Sequence, residues 1–149
     1  TEHTGGVIRN NVIMNCPKDV GIYLNRSKDT TIINNGIYNT LGVDVRFPTS
    51  SAFLANNIID GRIKERDGGQ STAENNLILG AGMFGGVGVS AINANFELLD
   101  EDSVIDRSTV VNVPGTDFCG NRRKPTTPDL GPLDHTGPTT CDVRNIWNK

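Results

Sequence analysis

Asn10-Asn11-Val12-Ile13 introduces a pattern that the sequence repeats three more times, as Asn34-Asn35-Gly36-Ile37, Asn56-Asn57-Ile58-Ile59 and Asn75-Asn76-Leu77-Ile78. The second asparagines of the four copies lie 24, 22 and 19 residues apart, and isoleucine follows each of them two positions later. Self-similarity at such a period is typical of a solenoid, in which each repeat contacts only its neighbours. We therefore predict a stack of structural repeats.

The residues around each asparagine pair favour strands over helices. Thr30-Thr31-Ile32-Ile33 precedes the second pair, and such β-branched residues are poor helix formers and good strand formers. A second series alternates with period two: Gly21-Ile22-Tyr23-Leu24-Asn25, Gly42-Val43-Asp44-Val45-Arg46-Phe47 and Gly61-Arg62-Ile63-Lys64-Glu65-Arg66-Asp67. Three short strands in about 22 residues predict an all-β fold, a right-handed single-stranded parallel β-helix of about 3–4 coils that rise about 4.8 Å each.

Stacked coils place like residues over like. The isoleucines that follow the asparagine pairs are predicted to form one inward column, and Ile22 with Val43 and Leu24 with Val45 to form two others. One asparagine of each pair should point inward, because a buried amide must find hydrogen-bond partners in the coils above and below. The predicted structural ladder is Asn11, Asn35, Asn57 and Asn76. The alternative is that these amides bind a ligand.

The repeat pattern ends near Gly80, where a glycine-rich stretch begins. We predict β-helix coils over residues 1–93 and an irregular C-terminal cap with a proline-rich tail over residues 94–149, both in one domain. An open coil end exposes strand edges and apolar side chains, so a closing segment is expected there. The first coil has no comparable cap, which predicts preceding β-helix coils or another chain at the N-terminal edge.

Composition limits the kinds of binding partner and the cellular compartment expected for the chain. With 14 Lys and Arg against 17 Asp and Glu and a pI near 5.3, the chain has no global field that would attract nucleic acid. No apolar run approaches the roughly 20 residues of a membrane span. Of three cysteines, Cys119 and Cys141 are predicted to form a disulfide in the tail, which would suit an exported protein. Three reduced thiols are the alternative.

By fold and motif the sequence resembles right-handed parallel β-helix proteins of the pectate-lyase-like superfamily, which includes secreted bacterial polysaccharide lyases and epimerases. The resemblance rests on the coil series 31–39, the strand 43–47, the run 63–68 and the tail elements Asp117-Phe118-Cys119-Gly120 and Asp129-Leu130-Gly131. It implies a secreted or cell-surface carbohydrate-active protein that acts on or binds acidic polysaccharide, with lyase or epimerase chemistry. A full enzyme of this class usually has more coils, so the resemblance also implies the C-terminal part of a longer β-helix.

The outward positions of the alternating strands gather the candidate chemistry. Two outward columns are predicted, one of Tyr23, Asp44 and Lys64 and one of Asn25, Arg46 and Arg66. Tyr23 would stack on a sugar, with Asn25 and Asp44 also binding substrate, and the cations would pair with uronate carboxylates. A lyase needs a base and a cation that stabilises the enolate-like anion. Lys64 or Arg66 would be the base and Arg46 would hold the carboxylate.

Several alternatives stay open at this face. Asp44 could simply pair with Lys64 while the arginines are solvated, and the chain could be a non-catalytic extracellular module that binds sugar, acts as an adhesin or builds a surface filament. Asp67 could bind calcium with Asp44 or Asp60, although no dense carboxylate cluster occurs and we predict no metal site and no cofactor. Glu65 falls at an inward position, which predicts either a slipped register or a buried cation partner.

Overall fold

The computed structural model describes residues 1–79, 101–109 and 112–134, and the backbone of short strands at 89–90, 95–96 and 141–142. Helix in the described part is limited to one turn, α1 (Glu101–Val104). The strands are β1 (His3–Arg9), β2 (Val12–Met14), β3 (Ile22–Asn25), β4 (Ser27–Ile33), β5 (Gly36–Tyr38), β6 (Gly42–Arg46), β7 (Ser51–Ala55), β8 (Ile58–Asp60), β9 (Arg62–Arg66), β10 (Gln70–Glu74), β11 (Leu77–Leu79), β12 (Val89–Ser90), β13 (Asn95–Phe96) and β14 (Cys141–Asp142).

The first eleven strands form three parallel sheets that share a common stacking direction. The first sheet has the order β1-β4-β7-β10, the second β2-β5-β8-β11 and the third β3-β6-β9. Consecutive strands in the chain enter different sheets, and the chain returns to each sheet one coil further on. The result is a β-solenoid of about four turns, which confirms the predicted parallel β-helix. Strands β12, β13 and β14 pair separately in an antiparallel sheet.

The predicted aliphatic columns lie inside the stack. Ile37 and Ile59 are in register and fully buried, and Val43 and Val45 of β6 are fully buried as well. At the last coil the column ends at Ile78, which is 46 % exposed. The buried core comprises Ile22, Leu24, Ile32, Ile37, Val43, Val45, Ala52, Leu54 and Ile59. Burial of these columns is the main force that holds the coils together.

The second asparagine of each pair forms the predicted ladder. In Asn35, Oδ1 accepts hydrogen bonds from the backbone N and Nδ2 of Asn11 at 2.9 and 3.0 Å. The oxygens of Asn57 and Asn76 receive the same pair of bonds from the preceding coil. The amide nitrogens of Asn35, Asn57 and Asn76 also donate to a carbonyl of the coil before them, as Asn57 does to Ile32 at 2.9 Å, and that of Asn11 donates to Arg9 of its own coil. The amides are therefore satisfied within the stack and fix its register.

The first asparagine of each pair turns the chain and points outward. Asn10, Asn34, Asn56 and Asn75 have φ between 49° and 56°, in the left-handed region that asparagine tolerates better than most residues. Their side chains bind the segment formed by residues 101–109 and 112–134, which we call the strap. Asn56 Nδ2 donates to the carbonyl of Thr109 at 3.0 Å, and its Oδ1 accepts from Thr109 N at 3.0 Å. The outer column of asparagines thus anchors the strap.

The strap packs along the outside of the second sheet. Its apolar residues Val104, Leu130 and Leu133 form a second core with Tyr38 and Ile58, which face outward from that sheet. Burial raises the pKa of Tyr38 far above its ordinary value. The sequence predicted a segment that closes the coil end from Gly80 onward, and residues 80–88, 91–94 and 97–100 lie outside the described residues. The described strap covers the side of the stack.

Arg123 fastens the strap to the first coil. Its guanidinium donates to the carbonyls of Asp129, Gly131 and Leu133 and to Asn10 Oδ1 at 2.8 to 3.3 Å. The side chain is almost fully buried, and burial lowers its pKa. The Nδ2 of Asn10 also donates a hydrogen bond to the carbonyl of Thr116 at 2.5 Å. The two bonds to Asn10 join residues more than 100 positions apart in the chain.

The described cysteines differ in state. Cys119 in the strap is disulfide-bonded, whereas Cys16 is free and exposed. The side chain of Cys141, the predicted partner of Cys119, lies outside the described residues.

Candidate functional site

The third sheet carries the two outward columns that alternation predicted. Its register places Tyr23 beside Asp44 and Asp44 beside Lys64, while Arg46 lies between Asn25 and Arg66. Adjacent strands are about 4.8 Å apart, so each column presents a polar group at every coil. We call this outer surface of β3, β6 and β9 the third-sheet face.

A cleft of about 510 Å³ runs over this face. Its floor is the sheet, and one wall comes from the turn before β3, which contributes Asp19, Val20 and Gly21. Four cations and two carboxylates line it, so its charge is opposite in sign to the net charge of −3 of the chain. The lining residues are Asp19, Val20, Gly21, Tyr23, Leu41, Asp44, Arg46, Arg62, Lys64 and Arg66.

Asp44 is the buried centre of the face. Its side chain is 6 % exposed, and its Oδ2 pairs with Arg66 Nη1 at 2.6 Å. The alternative in which Asp44 pairs with Lys64 while the arginines are solvated is wrong. Lys64 is the direct neighbour, but Arg66 sits on the diagonal, about 7–8 Å away by backbone, which a long side chain can span. The planar guanidinium of Arg66 therefore reaches the Asp44 carboxylate, although Lys64 is nearer along the sheet.

Arg46 is held in place from three sides. Its Nε donates to Asp67 Oδ2, its Nη1 donates to the Tyr23 hydroxyl at 3.2 Å, and its guanidinium lies 4.6 Å from the centre of the Phe47 ring. The hydrogen bond from Arg46 lowers the pKa of Asp67 and raises that of Arg46. Arg46 is therefore a fixed positive charge, and its bond to the hydroxyl orients the Tyr23 ring, which is 44 % exposed.

Lys64 and Arg62 have no ion-pair partner among the described residues. Both line the cleft on β9. Arg62, Lys64 and Arg66 occupy alternate positions of that strand, so three cations point outward at intervals of about 6.6 Å. Lys64 is the middle one. An anion entering the cleft could therefore bind Lys64 or Arg62 without first breaking an ion pair among the described residues.

Sequence reasoning missed Arg62. The residue has the same parity as Lys64 and Arg66 in Arg62-Ile63-Lys64-Glu65-Arg66, so alternation alone predicts that it faces outward. Its partner on the neighbouring strand is Gly42, and because glycine has no side chain, no outward column was recognised at this position. Phe47 was also missed, because it sits at the corner after β6 with a positive φ of 74°.

Glu65 keeps its register, which corrects both explanations proposed for it. The strand pairs Glu65 with Val45, so no slip occurs. The residue lies in the third coil and is exposed, and its Oε1 accepts bonds from the backbone N and Oγ of Ser71 at 2.6 and 2.9 Å. Hydroxyl and backbone donors of the next strand therefore satisfy this carboxylate without a buried cation.

The carboxylates proposed for calcium are engaged elsewhere. Asp44 pairs with Arg66, Asp67 pairs with Arg46, and Asp60 accepts from the backbone N of Asn39 at 3.0 Å. Within residues 1–79, 101–109 and 112–134, no group of three or more His, Cys, Asp or Glu side chains is placed to hold a metal ion.

The described residues include no helix long and apolar enough to cross a membrane. Comparison of the chain with protein-family models, with curated proteins and with solved structures gave no match.

Proposed function

We propose that the third-sheet face binds an acidic polysaccharide. The observation that carries the proposal is the row of three outward cations on β9, Arg62, Lys64 and Arg66, beside the exposed ring of Tyr23. Guanidinium and ammonium groups form charge-assisted hydrogen bonds with carboxylates, and an oriented aromatic ring offers a flat apolar surface to a sugar. An open cleft that runs along stacked coils suits a linear polymer better than a small, compact molecule.

The paired carboxylates support this role. Asp44 holds Arg66 and Asp67 holds Arg46, so both guanidiniums are positioned before a ligand arrives. Preorganised charges lose less side-chain entropy on binding than flexible ones. Lys64 and Arg62 then supply the charge that the ligand itself neutralises.

We further propose that the protein belongs to the class of secreted, carbohydrate-active β-helices that the pectate-lyase-like superfamily represents, with lyase or epimerase chemistry. In this role Lys64 is the better base of the two candidates, since Arg66 is already bound to buried Asp44. Arg46 would hold the uronate carboxylate whose neighbouring proton is removed. The disulfide at Cys119 supports secretion or a cell-surface location.

Binding to polygalacturonate, alginate and heparin, measured by affinity electrophoresis with a neutral glucan as control, tests the proposal. Lys64→Ala should weaken binding about tenfold, which corresponds to about 1.4 kcal/mol. Lys28→Ala is the matched control, because Lys28 is an exposed cation on β4, outside the cleft. Equal retention of acidic and neutral polymers, or equal loss in both variants, would refute the proposed face.

The non-catalytic module is the second candidate, and the engagement of Arg46 and Arg66 by carboxylates favours it. Ultraviolet absorbance of an unsaturated product separates the two. Product that appears with wild-type protein and disappears in Lys64→Ala supports the lyase. Epimerisation leaves no double bond and is read by NMR of the uronate configuration, so binding with neither an unsaturated product nor a changed configuration on any of the three polymers supports the module.

A further inference from the structure

Two exposed apolar side chains lie in the cationic cleft of the third-sheet face. The described residues include four large hydrophobic side chains that are strongly exposed, Val7, Tyr23, Leu41 and Ile78, and two of them, Tyr23 and Leu41, line this cleft. A single exposed hydrophobic residue is common on protein surfaces and needs no explanation. Tyr23 offers its ring to a sugar, but a sugar ring and a carboxylate leave the 46 % exposed side chain of Leu41 without a partner.

Backbone hydrogen bonds fix Leu41 at the edge of the cleft. Its N–H donates to the carbonyl of Asp19 at 2.8 Å, and its own carbonyl accepts from Arg62 N at 3.3 Å. In parallel pairing the first of these bonds places Val20, the residue after Asp19, beside Leu41 in the preceding coil. Val20 is half-buried and also lines the cleft. We call Val20 and Leu41 the apolar ledge.

The third coil leaves the apolar ledge uncovered. The residue beside Leu41 in that coil is Gly61, which has no side chain and has a φ of 115°. A Cβ at Gly61 would lie 2.5 Å from the Leu41 carbonyl carbon, so a larger residue does not fit there. The next residue, Arg62, begins β9 and lines the cleft. An apolar surface and a cation therefore lie side by side at this end of the cleft.

This pairing suits a group that carries both a methyl and a carbonyl oxygen. Arg62 is exposed and has no ion-pair partner among the described residues, and its guanidinium presents five N–H donors. A carboxylate at Arg62 would leave the apolar ledge in water. An acetyl group can place its methyl on Leu41 and Val20, where apolar surface is removed from water, while its carbonyl oxygen accepts from Arg62.

We infer that the ligand of the third-sheet face is an acidic polysaccharide that carries acetyl groups, an inference that rests on the proposed function. One acetyl group lies on the apolar ledge with its carbonyl oxygen at Arg62. A uronate carboxylate pairs with Lys64, two residues and about 6.6 Å further along β9. Leu41 is then the residue that determines specificity for an acetylated over an unmodified polymer. An O-acetyl ester and an N-acetyl amide both supply this chemistry.

Alginate and the same alginate after chemical O-acetylation, size-fractionated to equal length, test the inference. The two polymers carry the same charge per sugar and differ only in their acetyl groups. Affinity electrophoresis should show that the wild-type protein binds the acetylated polymer about fivefold more tightly, mainly because a methyl group is buried. Hyaluronan, in which every second sugar is N-acetylated, is the second arm and shows whether an amide replaces the ester.

Substitutions in the apolar ledge assign the preference to it. Leu41→Ser should abolish the preference for O-acetylated alginate and weaken hyaluronan binding, with unchanged affinity for unmodified alginate, which also shows that the variant is folded. Leu41→Met should keep the preference. Val20→Thr has nearly the same shape and should reduce the preference, which gives a second test if Leu41→Ser does not fold. Val7→Ser is the matched control, because Val7 is exposed on β1, outside the cleft.

The outcomes separate this inference from the proposed function. Equal affinity of the wild-type protein for the two alginates, together with hyaluronan binding that Leu41→Ser does not weaken, would overturn the inference and leave the proposed function standing. A preference that survives both ledge substitutions would overturn it as well. An effect of the ledge in only one arm supports the inference and identifies the ester or the amide. No binding to any acidic polymer would refute the proposed function and the inference together.

Discussion

Asn57→Ala should be among the most destabilising single substitutions in this chain. Asn57 is fully buried, and its side chain accepts from the backbone N and the Nδ2 of Asn35 and donates to the carbonyl of Ile32 and to Asn76 Oδ1. Alanine removes all four bonds and leaves a small cavity. Its backbone φ is not in the left-handed region, so alanine adds no strain there.

The size of the loss follows from which partners stay unpaired. The backbone N–H of Asn35 loses its hydrogen-bond acceptor inside the stack, and an orphaned buried donor costs about 1–3 kcal/mol. The three other bonds contribute about 0.5–1.5 kcal/mol each, although Asn35 Nδ2 keeps the carbonyls of Ile8 and Ile33. We expect a loss of about 3–5 kcal/mol, a large fraction of the about 5–15 kcal/mol that stabilises a typical domain.

Urea unfolding followed by circular dichroism measures this loss, and Asn11→Ala is the matched control. Asn11 has the same role at the exposed end of the ladder, and Asn35 Oδ1 keeps the backbone N–H of Asn11 when its side chain is removed. The control should lose at most about 1 kcal/mol. Melting temperatures should differ by roughly 10 °C between the two variants. Equal losses in the two variants would show that burial within the ladder does not govern its strength.

Three further predictions concern the strap and the cleft. Arg123→Met removes the guanidinium that binds strap carbonyls and should make the strap at least tenfold more sensitive to limited proteolysis while the coils keep their circular dichroism; unchanged cleavage would contradict its anchoring role. Asn56→Gly and Asn56→Ala both lose the strap bonds, but alanine must also adopt a φ of 56°, so urea unfolding should show Asn56→Ala less stable by about 1 kcal/mol. Asp67 has a pKa below its ordinary value of 3.8, so its pairing with Arg46 stabilises the fold above that pH and is lost as the pH falls through the lowered pKa. Carboxyl NMR titration should show Arg46→Gln returning the pKa of Asp67 toward 3.8, and no change would exclude the ion pair in solution.

The regular part of the fold was predictable because a solenoid brings residues one period apart into contact. Spacing alone therefore placed Asn35 over Asn57 and Ile37 over Ile59, and alternation assigned Tyr23 and Lys64 to the outer face. Each of these inferences needs only the repeat length and the period of a strand.

Repeat length and alternation do not predict how far a side chain reaches or which distant segments pack together. Alternation gives the columns that contain Asp44 and Arg66 but not the diagonal bond between them. The position of the strap is even harder to predict from the sequence, because Arg123 bonds to Asn10 across 113 positions and no repeat relates the two residues. One clue was present: the first asparagine of each pair must point away from the ladder, and four outward amides in a row imply a partner along that side.

The irregular repeat length has its physical basis in the turns on the two sides of the third sheet. Seven residues separate β2 from β3, three separate β5 from β6, and a single glycine, Gly61, separates β8 from β9. The corners that hold the asparagine pairs cannot vary in this way, because each pair must serve the inner ladder and the strap at once. The turns that follow β3, β6 and β9 hold one, four and three residues. Length changes are therefore concentrated at the two ends of the third sheet, where the longest turn contributes Asp19, Val20 and Gly21 to the cleft. The shape of the proposed binding face can change there without disturbing the register of the stack.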